Sequence, residues 1–206
     1  MKYIFVAGAP GSKWSSVVKN IYYSPDIDRS DYRDEWTYYH DASGKMELMH
    51  LGAYWDPGME FGTGFDNLYS YRKEMLEAEF DRPFRGSGVR IVKSHCFSTQ
   101  IDTLKTYWPE SPIVLVHRPD DACLGWWVKC GHFDITYPSY DTYYKNLRTM
   151  AMIIKQQNIG IVNAALKYPG QGPLTNQQLA RMLGIEVPPA EYEQNYGASD
   201  VRVTVI

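Results

Sequence analysis

The feature that most constrains this chain is a short apolar run that passes directly into a loop of glycine and serine. Residues 2–7 read as a buried strand, residues 8–13 (Gly-Ala-Pro-Gly-Ser-Lys) as the loop, and residues 14–22 as a helix. In such a loop successive backbone N–H groups point outward, and the positive end of the helix dipole lies behind them. The pattern therefore predicts a site for a phosphate or sulfate group.

The loop differs from a strict Walker A motif, in which a glycine directly precedes the lysine and a serine or threonine directly follows it. Here Ser12 precedes Lys13 and Trp14 follows it. Ser15 and Ser16 come one and two positions later, so no hydroxyl stands in the usual register for magnesium. The combination of two glycines, a lysine and serines still favours an anion site over a turn that serves packing alone.

Composition limits the class of protein. The 206 residues are 44% hydrophobic, which is enough for one sizeable core, so we expect a single domain over residues 1–206. The net charge of -3 argues against a nucleic acid polymer as partner. No apolar run is long enough for a membrane span or a secretory signal, and the three cysteines form no paired metal or disulfide framework. These features predict a soluble, cytoplasmic protein.

Two further apolar runs, residues 89–92 and 113–116, predict parallel strands buried under helices, with a crossover helix over residues 99–108 between them. The carboxyl ends of such strands meet at one edge of the sheet, where ligands bind. We therefore expect an α/β fold, with a central, mostly parallel sheet flanked by helices. Residues 158–166 are a candidate fourth strand, and residues 23–89 a probable insertion that carries contacts to an acceptor.

The clearest helix of the sequence is the last one. Thr175 is suited to the N-cap, Gln178 three positions later completes a capping box, and Gly184 is a typical stop. These terminal signals predict a helix between Thr175 and Gly184.

Four segments resemble, in chain order, the sulfotransferases that use 3'-phosphoadenosine 5'-phosphosulfate (PAPS). Residues 9–16 look like a variant of the family's loop for the 5'-phosphosulfate, and Lys93-Ser94-His95 is similar to its Lys-Thr-His segment. Residues 118–121 (Arg-Pro-Asp-Asp) resemble the corner that holds the 3'-phosphate, and residues 174–185 resemble its late helix ending in Leu-Gly-Ile. The resemblance implies a P-loop-like fold, PAPS as donor and the 3',5'-bisphosphate PAP as product. Two positions depart from it: Gly125 replaces an expected serine, and Gly11 stands where the family's loop lysine would lie.

The resemblance also implies roles for individual residues. His95, Lys13 and Lys93 would be catalytic, as a base and two cations. The nucleotide contacts would come from the loop and the corner: Pro10, Gly11, Ser12, Lys13, Trp14, Ser15, Ser16 and Arg118.

The chemistry fits these residue types. Sulfuryl transfer, like phosphoryl transfer, needs alignment and charge stabilisation, and the phosphate leaving group is good enough that we predict no metal site. An acceptor hydroxyl needs a base, and histidine has a reference pKa near 6.5.

Several of these residues also have structural readings. His95 fits a strand-end histidine bonded to a backbone carbonyl, Lys93 a solvated lysine, and Arg118 an ion pair with Asp120 or Asp121. The tryptophans near the loop are suited to stacking on adenine but equally to a core: Trp14, Trp126 and Trp127.

Two other functions stay open at this point. The loop also looks like that of an adenylate-kinase-type enzyme that lacks one glycine, which would use ATP and magnesium for a nucleotide or small molecule. A catalytically silent anion-binding or assembly protein is the third reading. For the sulfotransferase, we expect a small-molecule or carbohydrate acceptor, while the sequence sets neither its identity nor the oligomeric state.

Overall fold

A computed structural model describes residues 1–32, 39–40, 47–48, 51, 53–56, 59–61, 67–129, 146–192 and 200–206. Within these residues the strands, in chain order, are β1 (Tyr3–Gly8), β2 (Tyr39–His40), β3 (Glu47–Leu48), β4 (Ala53–Asp56), β5 (Met59–Glu60), β6 (Arg90–Ser94), β7 (Ile113–His117) and β8 (Arg202–Val205). The α-helices are α1 (Trp14–Tyr22), α2 (Lys73–Asp81), α3 (Ile101–Tyr107), α4 (Asp120–Lys129), α5 (Leu147–Lys167) and α6 (Asn176–Leu183).

The centre of the fold is a mostly parallel sheet with the strand order β4-β6-β1-β7-β8. The first four of these strands are parallel to one another, whereas β8 is antiparallel to β7. β5 pairs antiparallel with β4 at one edge, and β2 and β3 form a separate short hairpin. The predicted α/β class with a mostly parallel central sheet is confirmed, and the predicted boundaries of β1, β6 and β7 agree with the structure to within two residues.

The sheet is covered on both faces, because β1 is buried along its whole length and its side chains divide between two cores. Ile4 and Val6 pack in a first core with α1 and α6, whereas Tyr3, Phe5 and Ala7 pack in a second core with α2 and α3. This alternation is the period-two pattern of a strand that is buried on both sides. It fixes β1 in the middle of the protein and presents its carboxyl end at the sheet edge.

The prediction of a strand over residues 158–166 is wrong, because these residues continue α5 to Lys167. Gly160 serves the packing of this helix. A Cβ on Gly160 would lie 2.1 Å from the carbonyl oxygen of Ser98, so only glycine lets α5 approach the 3-10 helix Cys96–Thr99 so closely. The fourth parallel strand is instead β4, which lies within residues 23–89, as does α2.

The last helix has the predicted terminal structure. The Thr175 hydroxyl accepts from the backbone N–H of Gln178, and the Gln178 side chain accepts from the backbone N–H of Thr175, which completes the capping box. Gly184 ends the helix in the left-handed conformation, at φ 67°. Leu179 and Leu183 anchor it against α1 in the first core. Within the ranges given above, no helix combines the length and apolarity that crossing a bilayer requires.

Candidate functional site

The predicted site residues lie at the carboxyl ends of three adjacent strands. The loop 9–13 follows β1, His95 follows β6, and Arg118 follows β7. β1 lies between β6 and β7, although both strands come much later in the chain. From β1 the chain goes to β4 and β6 on one side of the sheet, and it then crosses over β1 to reach β7 on the other side. Ligands bind at such a switch point in open α/β sheets.

Lys13 has an unusual backbone conformation for a non-glycine residue. Its φ is 67°, and it is the one non-glycine residue with positive φ in the described part of the chain. It is also the N-cap of α1, and it makes no side-chain capping bond. A lysine ammonium has only donors, so it cannot serve the N–H groups of the first turn, as serine or aspartate would. The side chain at the N-cap therefore contributes no capping bond to the start of α1.

Ser12 adds an unsatisfied hydroxyl to the same loop. The residue is fully buried, and its Oγ has no hydrogen-bond partner among the described residues. A Cβ on Gly8 would lie 2.7 Å from this Oγ, so the hydroxyl lies on the inner side of the loop, close to the end of β1. A buried hydroxyl without a partner is unfavourable by about 1–3 kcal/mol, which an incoming oxyanion would relieve.

Gly11 brings the loop into contact with α4. Its φ is 79°, and a Cβ there would lie 2.1 Å from the carbonyl oxygen of Cys123. Only glycine is therefore compatible with this position. Cys123 itself is buried, and burial raises the pKa of its thiol to about 12, so it is an unreactive packing residue.

His95 connects the end of β6 to the start of the loop. Nδ1 of His95 donates a hydrogen bond to the carbonyl oxygen of Gly8. The imidazole also packs at 4.1 Å between ring centroids on Trp14 and at 5.6 Å edge-on to Tyr54. The carbonyl bond predicted as the structural reading is present. Because that bond places the proton on Nδ1, it leaves Nε2 as the basic nitrogen in the neutral ring.

Lys93 lies beneath the site and is fully buried, so its reading as a solvated strand-end lysine is wrong. Nζ donates to the carbonyl oxygen of Leu51 at 2.7 Å and lies 5.9 Å from the centroid of the Trp14 ring. Its positive charge is felt by the buried carboxyl of Asp31, which accepts from the Tyr22 hydroxyl at 3.1 Å. Burial raises the pKa of Asp31 to about 6, while Tyr22 and Lys93 oppose that rise.

Arg118 contacts the loop rather than the acids that follow it. Its Nη1 donates to the carbonyl oxygen of Gly11 at 3.2 Å, and its Nε pairs with Asp200 Oδ2 at 3.1 Å. The predicted ion pair with Asp120 or Asp121 is therefore wrong, since Asp120 accepts from Asn158 and Asp121 from the backbone of Ala122. A guanidinium has five donors, so the two bonds of Arg118 leave others for an anion.

The tryptophans predicted for adenine stacking divide between two roles. Trp14 and Trp127 are buried in the first core, as in the structural reading. Trp126 is half-buried, and Nζ of Lys13 lies 4.0 Å from the centroid of its ring. The Lys13 ammonium therefore rests on an aromatic face outside the loop in this structure. Ser15 is buried and Ser16 half-buried in the first turn of α1.

The structure brings most of the predicted residues together through two backbone atoms. The Gly8 carbonyl bonds to His95, and the Gly11 carbonyl bonds to Arg118, so the ends of β6 and β7 are both tied to the chain that leaves β1. Asp31 and Asp200 were missed by the sequence reasoning. Neither lies in a motif, and only the tertiary fold pairs them with Tyr22 and Arg118.

Comparisons of this chain with protein-family models, with curated proteins and with solved structures gave no match. The function is therefore inferred from the sequence motifs and from the geometry of the sheet edge.

Proposed function

We propose that this protein is a sulfotransferase with a P-loop-like architecture, which binds PAPS and moves its sulfuryl group to a hydroxyl or amine acceptor. The observation that carries the proposal is the loop at the start of α1. It combines a lysine held at φ 67°, a helix N-terminus with no side-chain cap from that lysine, and the buried unpartnered hydroxyl of Ser12. An uncommon backbone conformation that persists in a native fold is a reason to infer function.

In the proposed reaction, a bond forms between the acceptor oxygen and sulfur while the bond from sulfur to the 5'-phosphate oxygen breaks. The bonding electrons leave with the phosphate, which becomes part of PAP, and the acceptor proton goes to Nε2 of His95. The amides of the loop and the Lys13 ammonium would take the charge on the transferred group. Arg118 would bind the 3'-phosphate with the guanidinium donors that Gly11 and Asp200 do not use.

The kinase reading has less support at the same sheet edge. P-loop kinases and ATPases hold magnesium with a Ser or Thr of the loop and an acid on a neighbouring strand. Here Trp14 follows the loop lysine, and β6, a direct neighbour of β1, ends in Lys93-Ser94 with His95 directly after it. A cation and an imidazole at this point suit an anionic group and an acceptor proton better than a metal ion.

The direct test compares the binding of PAP with that of ATP and magnesium by isothermal titration calorimetry, for the natural chain and for Ser12→Ala. We expect PAP to bind and ATP to bind more weakly. Ser12→Ala removes the unpartnered hydroxyl, so the ligand-free protein should become more stable by about 1 kcal/mol. The same change should weaken PAP binding, because the bound anion loses a hydrogen-bond donor.

The transfer step is tested separately with radiolabelled PAPS and a panel of phenols, sugars and amines. Binding of ATP with magnesium but not of PAP would favour the kinase. Binding of PAP without transfer to any acceptor would favour the catalytically silent anion-binding protein.

A further inference from the structure

A cavity lies where α5 packs beside α3 and the 3-10 helix Cys96–Thr99. Its volume is about 530 Å³, within the range of small-molecule sites. The lining is dominated by amides and hydroxyls, among them Asn67, Tyr69, Ser98, Gln100 and Asn163. These groups both donate and accept hydrogen bonds.

The charge of this cavity is largely neutralised. Its acidic side chain, Asp102, accepts from Lys167 Nζ and from the Tyr168 hydroxyl, each at 2.6 Å. The ion pair is exposed and lies at one end of α5. The rest of the lining combines hydroxyl and amide groups with the uncharged residues Ile101, Gly160 and Ala164, so the cavity suits a neutral ligand with polar and apolar faces better than a free ion.

A smaller cavity of about 250 Å³ continues along the same helix. Its polar lining is His117, Asp120, Lys155 and Asn158, its apolar lining is Ile159 and Val162, and it shares Asn163 with the first cavity. Since one side chain lines both, the two cavities adjoin and form an elongated cleft along α5. A cleft of this shape fits a linear ligand with repeated polar groups.

Each cavity contains one buried polar atom that has no partner among the described residues. In the larger cavity it is the Oγ of Ser98, which is 1% exposed, and in the smaller cavity it is the Oδ1 of Asn158, which is 3% exposed. Asn158 already donates from Nδ2 to Asp120 and to the carbonyl oxygen of Arg118, so its oxygen is the group that needs a donor. Ligand hydroxyls can satisfy both atoms.

An exposed aromatic ring completes the pattern. Tyr69 lines the larger cavity and is 70% exposed. An exposed ring offers an apolar face to the C–H face of a sugar, while its hydroxyl stays in contact with water.

We propose that the cleft along α5 binds a neutral oligosaccharide, with one sugar on Tyr69 and the next units along Asn163 towards Asn158. The Tyr69 end of the cleft lies away from the proposed transfer site, while its other end adjoins Arg118, whose carbonyl oxygen accepts from Asn158. Ser98 follows Phe97 in the segment that packs into the second core, whereas the His95 ring packs on Trp14 and Tyr54 of the first core. The cleft would therefore hold a glycan without presenting it to His95, and it does not depend on the sulfotransferase proposal.

The test uses four neutral tetrasaccharides with different linkages: maltotetraose, cellotetraose, mannotetraose and chitotetraose. Binding is detected by saturation-transfer NMR and measured by calorimetry on the full chain. Tyr69→Ala should lower the affinity for the sugar about threefold to tenfold, as expected for the loss of one aromatic contact. Asn163→Trp should abolish binding, because this exposed position tolerates a large ring that fills the junction of the two cavities.

Tyr32→Ala is the matched control, since Tyr32 is also exposed and lies outside the cleft. It should leave sugar binding unchanged, and all three variants should bind PAP like the natural chain. Failure of all four sugars to bind at about 10 mM would overturn the inference. So would sugar binding that Tyr69→Ala and Asn163→Trp leave intact, or binding of sulfated tetrasaccharides alone. Failure of the natural chain to bind PAP would instead count against the sulfotransferase.

Discussion

Nδ1 of His95 donates its hydrogen bond to the carbonyl oxygen of Gly8, the last residue of β1. One side chain therefore fixes the distance between the end of β6 and the start of the loop. The same bond determines which imidazole nitrogen is basic. Substitutions at position 95 can therefore distinguish the structural role of the hydrogen bond to Gly8 from the proposed role of His95 as a base.

Asparagine at position 95 preserves the structural part of this arrangement, because its amide nitrogen can take the place of Nδ1. We expect His95→Asn to keep the free energy of unfolding within about 1 kcal/mol of the natural chain while sulfuryl transfer falls at least about 100-fold. His95→Ala should reduce transfer by the same factor, and its free energy of unfolding should fall by about a further 1–3 kcal/mol. The Gly8 carbonyl loses its donor, and a cavity opens beside Trp14. Urea denaturation and radiolabelled transfer measure the two effects. Undiminished transfer by His95→Asn would show that His95 is not the base.

The left-handed backbone of Lys13 predicts that stability and binding change in opposite directions. Glycine adopts φ 67° without a steric cost, so Lys13→Gly should raise the free energy of unfolding by about 1 kcal/mol. Its affinity for PAP should fall at least about tenfold, because the ammonium is lost.

Lys13→Ala is the matched control for this prediction. Both variants lose the ammonium and its contact with Trp126, but only glycine relieves the backbone. Equal stability of the two variants, measured by thermal unfolding, would contradict the proposed strain.

Gly125 offers a gain-of-affinity experiment. It lies within α4, and a Cβ there would meet nothing within 4 Å, so larger residues fit. Gly125→Ser restores the hydroxyl that the resemblance assigns to the 3'-phosphate, and we expect PAP to bind at least about threefold more tightly. AMP, which lacks that phosphate, should bind with unchanged affinity.

Gly125→Ala is the control that distinguishes the effect of the serine hydroxyl on PAP binding from the effect of higher helix propensity. Both substitutions should stabilise α4 by up to about 1 kcal/mol, but alanine adds no donor. If alanine improves PAP binding as much as serine does, the gain comes from the helix, and Gly125 does not face the nucleotide.

The buried carboxyl of Asp31 predicts a specific dependence of stability on pH. Its pKa rises from 3.8 to about 6 on folding, chiefly because of burial. Between pH values of about 4 and 6, Asp31 is ionised in the unfolded state but still protonated in the folded state. The free energy of unfolding therefore falls as the pH rises from about 4 to about 6. The fall should reach about 3 kcal/mol at most, and Asp31→Asn should lack it.

Urea denaturation at several pH values between 4 and 7 measures this difference between the two proteins. Tyr22→Phe is the control, because it removes the hydroxyl that donates to Asp31 and should raise the pKa of that carboxyl further. A constant difference between the natural chain and Asp31→Asn across this range would contradict the prediction.

The sequence predicted those parts of the fold that local signals determine. Apolar runs located β1, β6 and β7, and the paired caps of Thr175 and Gln178 located α6. Residues 158–166 resemble a strand in sequence, because isoleucine and valine around a glycine are typical of a strand. Gly160 is there for a tertiary reason, the close approach to Ser98, which no local pattern contains.

The candidate site was predictable in its residues but not in its contacts. The strand ends identified His95 and Arg118, since parallel strands must finish at one edge. Their actual partners are carbonyl groups of the loop and Asp200, and backbone carbonyls leave no mark in a sequence. The burial of Lys93 depends on Leu51 and Asp31, which come from a region with few regular sequence signals.

The position of β1 between β6 and β7 has a kinetic consequence. β1 pairs with two strands that come more than 80 residues later in the chain, which gives the sheet a high contact order and predicts slow folding. The loop acquires its two anchors, at Gly8 and Gly11, only when that assembly is complete. Affinity for an anion should accordingly emerge in the final phase of refolding, and a bound nucleotide would report on the finished sheet.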